Sequence, residues 1–183
     1  MESGRLRYRR VLLVGFMASG KSTVGSTLAS RLGWEFKDFD AEVERRAGAS
    51  VEEIFRRRGE AYFRDLEAGV GRELLRAGEV VLASGGGWPA GPGHMDELGE
   101  DTLSVWLRVS PAAAVRRAGL GGAPRPLLDV PDPLARAEAL LAARAPHYRR
   151  AELHLDSEEA TAEELAGIIA QHLEGSVRDH PGR

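Results

Sequence analysis

The sequence has no cysteine, and among its 25 basic residues only Lys21 and Lys37 are lysine; the other 23 are arginine. Without thiols neither a disulfide nor a thiolate metal centre can form, which fits a reducing cytoplasm. The 28 acidic residues leave a formal charge of −3, so no bulk attraction draws the chain to nucleic acid, and any anion site must be local. No stretch approaches the roughly 20 apolar residues of a membrane span, and neither repeats nor low-complexity segments occur. The five histidines, His94, His147, His154, His172 and His180, show no metal-ligand spacing. These bounds leave one domain over residues 1–175, followed by a flexible tail at 176–183, because 183 residues make one full core and not two comfortable ones. The basic arm Met1 to Arg10 is read as a solvated terminus, since a leader cleaved behind it would remove the apolar run and the glycines that follow.

What is present begins with Gly15-Phe16-Met17-Ala18-Ser19-Gly20-Lys21-Ser22-Thr23, a match to the phosphate-loop pattern G-x-x-x-x-G-K-[ST] directly after the apolar run Val11 to Val14. In a chain that otherwise uses arginine, a lysine kept here points to a role for a compact ammonium. A point charge enters a tight ring of backbone N–H groups where a planar guanidinium does not fit.

Helical and strand periods alternate from there on. Lys21 to Leu32 is predicted helical, with its N-terminus at the phosphate site and Gly33 closing it. Glu35 to Asp38 is a short strand. Ser50 to Glu53 is a capping box opening a brief helix to Arg57, Gly59 breaks it, and a longer helix runs from Glu60 to Ala77. Further strands are expected at Val80 to Ala83, Thr102 to Val109 and Leu153 to Leu155, and helices at Pro111 to Arg117, Asp132 to Arg150 and after the second capping box at Thr161. Ala118 to Asp129, rich in glycine and proline around Arg125, is read as a mobile lid with no regular element. Strands alternating with helices imply parallel β-α-β units, whose ligands gather at the carboxyl ends of the strands.

Those ends carry the polar candidates. Asp38 and Asp40, two apart, face one crevice if the strand extends through both; Asp40 alone also has a plainer reading as the cap of a helix beginning at Ala41. Ser22 is placed to ligate Mg²⁺ on a nucleotide, with one carboxylate of the Asp38 and Asp40 pair supporting its water shell and the other addressing an acceptor hydroxyl. Most arginines, Arg116-Arg117 and Arg149-Arg150 among them, are read as solvated faces. Trp34, Trp88 and Trp106 are read as core or rim packing, Trp88 being the one set directly behind Gly85-Gly86-Gly87.

In combination, Gly15 to Gly25, Asp38-Phe39-Asp40, Gly59-Glu60-x-x-Phe63-Arg64-x-x-Glu67, the triple glycine, Arg125-Pro126-Leu127-Leu128 and Arg144-Ala145-Pro146-x-Tyr148-Arg149 resemble the shikimate kinases, and do so from Val11 to Leu173. The resemblance implies a three-layer α/β P-loop fold, a five-stranded parallel sheet flanked by helices with a lid, working as a monomer with ATP and Mg²⁺. It implies that Arg64 and Arg144 hold the carboxylate of shikimate, with Gly86 beside them, and that Asp40 meets the reacting hydroxyl. Ala18, Ser19, Gly20, Lys21, Ser22, Thr23, Arg117 and Arg125 fall to the nucleotide, and Lys21, Asp40 and Arg125 to catalysis. No acidic residue ends Val81-Leu82-Ala83-Ser84, Trp88 stands where a small residue is expected and would crowd the acceptor pocket, and the Asp156 to Ala160 loop offers no evident adenine-binding side chain. A gluconate-type kinase and a non-catalytic nucleotide-binding module are the alternatives; a neutral or cationic acceptor would give the two arginines no reason to converge.

Overall fold

A computed structural model of the chain describes residues 7–120 and 126–176. Five strands, β1 (Arg10–Val14), β2 (Glu35–Asp38), β3 (Val80–Ala83), β4 (Thr102–Arg108) and β5 (Leu153–Asp156), form one parallel sheet in the order β2-β3-β1-β4-β5. The central strands β1 and β3 are buried along their whole length, as expected where helices cover both faces, while the edge strands β2 and β5 alternate between covered and open positions.

Alternation along β1 splits the core in two. Leu12 and Val14 join Leu82, Phe39, Ile54, Phe63, Val70, Ala137 and Tyr148 on one face, under α2 (Phe39–Ala47), α3 (Val51–Leu74), α4 (Pro111–Leu120) and α5 (Pro133–Tyr148). Val11 and Leu13 join Val81, Leu103, Val105 and Leu107 on the other, beneath α1 (Lys21–Leu32) and α6 (Ala162–Gly175). The result is the three-layer arrangement with five parallel strands.

Both capping boxes form, Ser50 with Glu53 and Thr161 with Glu164. Gly59 takes φ 82° and ψ 172° inside α3, a geometry that L side chains resist, so the two predicted helices meet there at a kink.

Four expectations change. The arm before β1 is not wholly solvated: Tyr8 is buried, and the Arg10 guanidinium donates to Ala77 O at 2.8 Å, Asp101 Oδ1 at 2.7 Å and Thr102 Oγ1 at 3.1 Å, partners that make its burial tolerable. Helix α2 begins at Phe39 and is capped by Asp38, whose Oδ1 accepts from Asp40 N (2.9 Å) and Ala41 N (3.3 Å); Asp40 is inside the first turn and is not the cap. The segment 118–129 is not free of regular structure, because α4 continues to Leu120 and Pro126–Leu128 form a 3₁₀ turn. Arg125 and the rest of 121–125 lie outside the described residues, as do residues 177–183 of the expected tail. Ser176 is tied in, its carbonyl accepting from Arg7 N. Among the described residues no helix is long and apolar enough to cross a membrane.

Candidate active site

Register brings three strand ends together, since Leu13 of β1 pairs with Ala83 of β3, which pairs with Asp38 of β2. The loop after β1, the glycines after β3 and the Asp38 corner therefore surround one crevice. Among the described residues α2, α3, α4, α5 and α6 start on a side-chain oxygen, from Asp38, Ser50, Ser110, Asp132 and Thr161 respectively. Helix α1 starts on Gly20, which has none, and no acidic residue occupies its first turn. Its N-terminal N–H groups and the positive end of its dipole are thus left for an anion.

A cavity of about 300 Å³ opens over that helix end and is lined by Ala18, Gly20, Lys21, Ser22, Thr23 and Arg117, with Asp38 and Asp40 opposite. The Lys21 ammonium donates to the loop carbonyls of Gly15 (3.0 Å) and Phe16 (2.9 Å), and Ala18 holds a positive φ of 58°, unusual outside glycine and a mark of a shaped loop. Ser22 Oγ donates to Asp38 Oδ2 at 2.6 Å. The Ser19 side chain is fully buried and does not line the cavity, and its hydroxyl has no partner among the described residues, so any contact it makes with a phosphate is through its backbone N–H. Arg117 is not a solvated face. It donates to Ser157 O (2.7 Å), Ser157 Oγ (3.3 Å) and Ala18 O (3.3 Å), tying the loop after β5 to the phosphate loop.

A second cavity, about 280 Å³, adjoins the first, and Met17, Asp40, Gly85 and Gly86 belong to both walls. Arg64 from α3 and Arg144 from α5 reach it, with apolar surface from Val51, Phe55 and Phe63. Arg144 is only 8% exposed, a buried cation set near Gly86. Arg64 is braced twice on its own helix: Nη1 donates to Glu67 Oε2 at 2.7 Å and Nη2 to Glu60 Oε1 at 3.0 Å.

The triple glycine is explained by what surrounds it. A Cβ on Gly85 would stand 1.9 Å from Glu67 Oε1 and 3.0 Å from Asp40 Oδ1, and one on Gly87 would stand 2.6 Å from the Arg64 guanidinium. Any side chain there would displace the charged groups of the pocket. Gly86 between them is held by its carbonyl, which accepts from the Tyr148 hydroxyl. Burial pushes that hydroxyl up to about 12, so it remains a donor.

Two residues, Glu67 and Tyr148, stand in the sequence motifs without a role of their own. Glu67 is 1% exposed, and burial pushes its carboxyl up to about 7 against the opposing pull of Arg64, with Asp40 raising it further. Its signal was present, because Phe63, Glu67 and Val70 repeat at the spacing of a buried helix face. Trp88, expected to crowd the acceptor pocket, does not line it; it is buried edge-on against Phe39 and stacked on His94.

Comparison with known proteins adds three findings. The family model described as shikimate kinase matches residues 17–174. A shikimate kinase from Moorella thermoacetica is 42% identical over 163 residues, covering 89% of this chain and 93% of that protein. Among solved structures, a shikimate kinase from Acinetobacter baumannii in complex with shikimate superposes with a TM-score of 0.86 at 36% identity, covering 92% of this chain and 94% of that one. A gluconokinase from Sinorhizobium meliloti superposes with a TM-score of 0.59 at 18% identity and shares the fold alone.

Proposed function

The chain belongs to the shikimate kinase family, and we propose that its two adjoining cavities are the halves of one transfer site, ATP on the α1 side and shikimate on the Arg64 and Arg144 side. The enzyme is an ATP-dependent kinase that moves the γ-phosphoryl group to the 3-hydroxyl of shikimate, leaving ADP. The observation that carries the residue assignment is the shared wall: Asp40 belongs to both cavities, between the anion-binding helix end and the two arginines.

Each part then has a physical task. Two guanidinium groups grip a carboxylate directionally, while Val51, Phe55 and Phe63 take the apolar edge of a ring. Asp40 accepts the proton of the attacking hydroxyl as its oxygen bonds to phosphorus and the bond to the ADP oxygen breaks. Lys21 and the α1 N-terminus neutralise phosphate charge, and Arg117 steadies the loop. Arg125, outside the described residues, is assigned to the phosphates from its motif.

Mg²⁺ fits the corner where Ser22 Oγ and Asp38 meet, two hard oxygen donors beside the phosphate loop with no larger acidic cluster among the described residues; these two would hold it, and it would supply positive charge to neutralise the phosphates. A working monomer belongs to the same reading, carried over from the family resemblance rather than from the cavities. We extend the reading to a cytoplasmic location, in keeping with the thiol-free composition.

Gluconate is also a carboxylate, so the arginines alone do not separate it from shikimate. A coupled ADP-release assay with ATP, Mg²⁺ and shikimate, quinate or gluconate does. Shikimate should drive ADP release; a rate no higher than the acceptor-free background would overturn the assignment.

Arg144→Ala should weaken shikimate binding by about 2 to 5 kcal/mol, roughly 30- to 4,000-fold, because a buried carboxylate loses one of its two cationic partners. ATP affinity should hold. Calorimetry with each ligand decides, and a fall in ATP affinity instead would move Arg144 to the nucleotide side.

A further inference from the structure

We propose that Glu67 couples acceptor binding to proton uptake: when a carboxylate occupies the cavity between Arg64 and Arg144, Glu67 takes a proton from solvent. The inference rests on the acceptor reading above. Glu67 is a positioning residue, acting on the acceptor through Arg64, and the transfer chemistry makes no use of its ionisation.

The geometry is that of a carboxyl group waiting for a proton. One oxygen, Oε2, is committed to Arg64 Nη1 at 2.7 Å. The other, Oε1, is buried with no hydrogen-bond partner among the described residues, and it lies beside Gly85 on the same side as Asp40 Oδ1, where a single Cβ would be 1.9 Å from Glu67 Oε1 and 3.0 Å from Asp40 Oδ1. Two carboxylate oxygens are both acceptors and repel. A proton on Oε1 turns one of them into a donor and satisfies the buried atom.

Burial raises the proton affinity of Glu67, and the surrounding charges modulate it. Asp40 from α2 favours the protonated form of Glu67; Arg64 from α3 and Arg144 from α5 oppose it. Tyr148 from α5 stays a neutral donor to Gly86 O. Glu60 reaches Glu67 only through Arg64, and Glu44 of α2 lines the same cavity. Behind the two arginines, Asp65 and His94 share a further cavity wall with Glu67. Burial lifts the Glu67 carboxyl against the pull of the two arginines, to about 7. A bound carboxylate spends the field of both cations and adds a negative charge, so the proton affinity of Glu67 rises and a proton enters from water. By linkage, shikimate binds more weakly as the pH rises above 7, by roughly threefold per unit for half a proton taken up.

Isothermal titration of the full-length enzyme with shikimate at pH 7.5, in PIPES and in Tris, measures this. The observed heats should differ in proportion to the ionisation enthalpies of the buffers, with about half a proton absorbed per shikimate, and the difference should vanish by about pH 5.5, where Glu67 is already protonated. Glu67→Gln should still bind shikimate but lose the buffer dependence, and Glu67→Asp should retain it. Equal heats in the two buffers with normal binding would overturn the proposal alone, as would an undiminished dependence in Glu67→Gln. Should Glu67→Gln not fold, the wild type and Glu67→Asp decide: uptake that persists at pH 5.5 assigns the proton elsewhere and overturns it. Absence of shikimate binding to the wild type would overturn the acceptor reading and this inference with it.

Discussion

Lys21→Arg should lower kcat by at least about 100-fold while leaving the melting temperature unchanged, a loss of roughly 2.7 kcal/mol in transition-state stabilisation. The substitution preserves charge, so the expected loss is one of shape. The ammonium of Lys21 is drawn over its own loop onto the carbonyls of Gly15 and Phe16, within about hydrogen-bond reach of both, in a space bounded by the uncapped start of α1. A compact group can exchange those carbonyls for β- and γ-phosphate oxygens by a small movement. A planar fork with fixed donor directions fits neither arrangement without widening the loop, and Ala18, already at positive φ, leaves that loop little freedom to widen. The measurement is turnover at saturating ATP and shikimate, with a thermal melt of the same preparation. Near-normal turnover would refute the point-charge argument.

That lysine was legible because its meaning lies in local spacing: the phosphate loop is one contiguous run between a buried strand and a helix, so nothing distant decides it. The same holds for the two capping boxes and for the break at Gly59, each settled by four residues or fewer. The doubly buried β1 and β3 were legible as continuous apolar runs. Features that depend on what a side chain meets across the fold were not. Asp38-Phe39-Asp40 fits a strand carrying both carboxylates as well as a helix start, and the helix begins early because Asp38 finds the N–H groups of Asp40 and Ala41. Arg117 is indistinguishable in sequence from the exposed arginines around it, since its partner Ser157 is forty residues away. Trp88 sits next to pocket glycines in the chain, yet its ring turns into the space over Gly71, where a Cβ would be 2.5 Å from its indole nitrogen. Glu67 stands in the motif with Arg64, but its burial beside Arg64 and Asp40 depends on α2 and α3 meeting, which local spacing does not show.

Asp40→Asn should reduce kcat by about 10² to 10⁴ with little change in the melt. The location of the cap makes this a cleaner experiment than the sequence promised. Asp38, not Asp40, carries the helix start, so the substitution removes no capping bond; the cost to α2 is limited to one charge in its first turn, about 0.3 to 1 kcal/mol. The loss in rate comes from elsewhere. Asp40 stands on the wall common to both cavities, so an acceptor hydroxyl there faces a carboxylate on one side and the phosphate site on the other. An amide of the same shape can still orient that hydroxyl but cannot take its proton. The companion variant Asp38→Ala separates the two aspartates, because it should lower stability by about 0.5 to 2 kcal/mol through loss of the cap and also deprive Ser22 Oγ of its acceptor. Melting separates the two variants if the assignment holds: it should fall in Asp38→Ala, whose turnover also suffers because Asp38 stands at the Mg²⁺ corner, and stay nearly unchanged in Asp40→Asn. Unchanged kcat in Asp40→Asn would remove Asp40 from the chemistry, and the proton of the acceptor hydroxyl would then have to leave by another group on that wall.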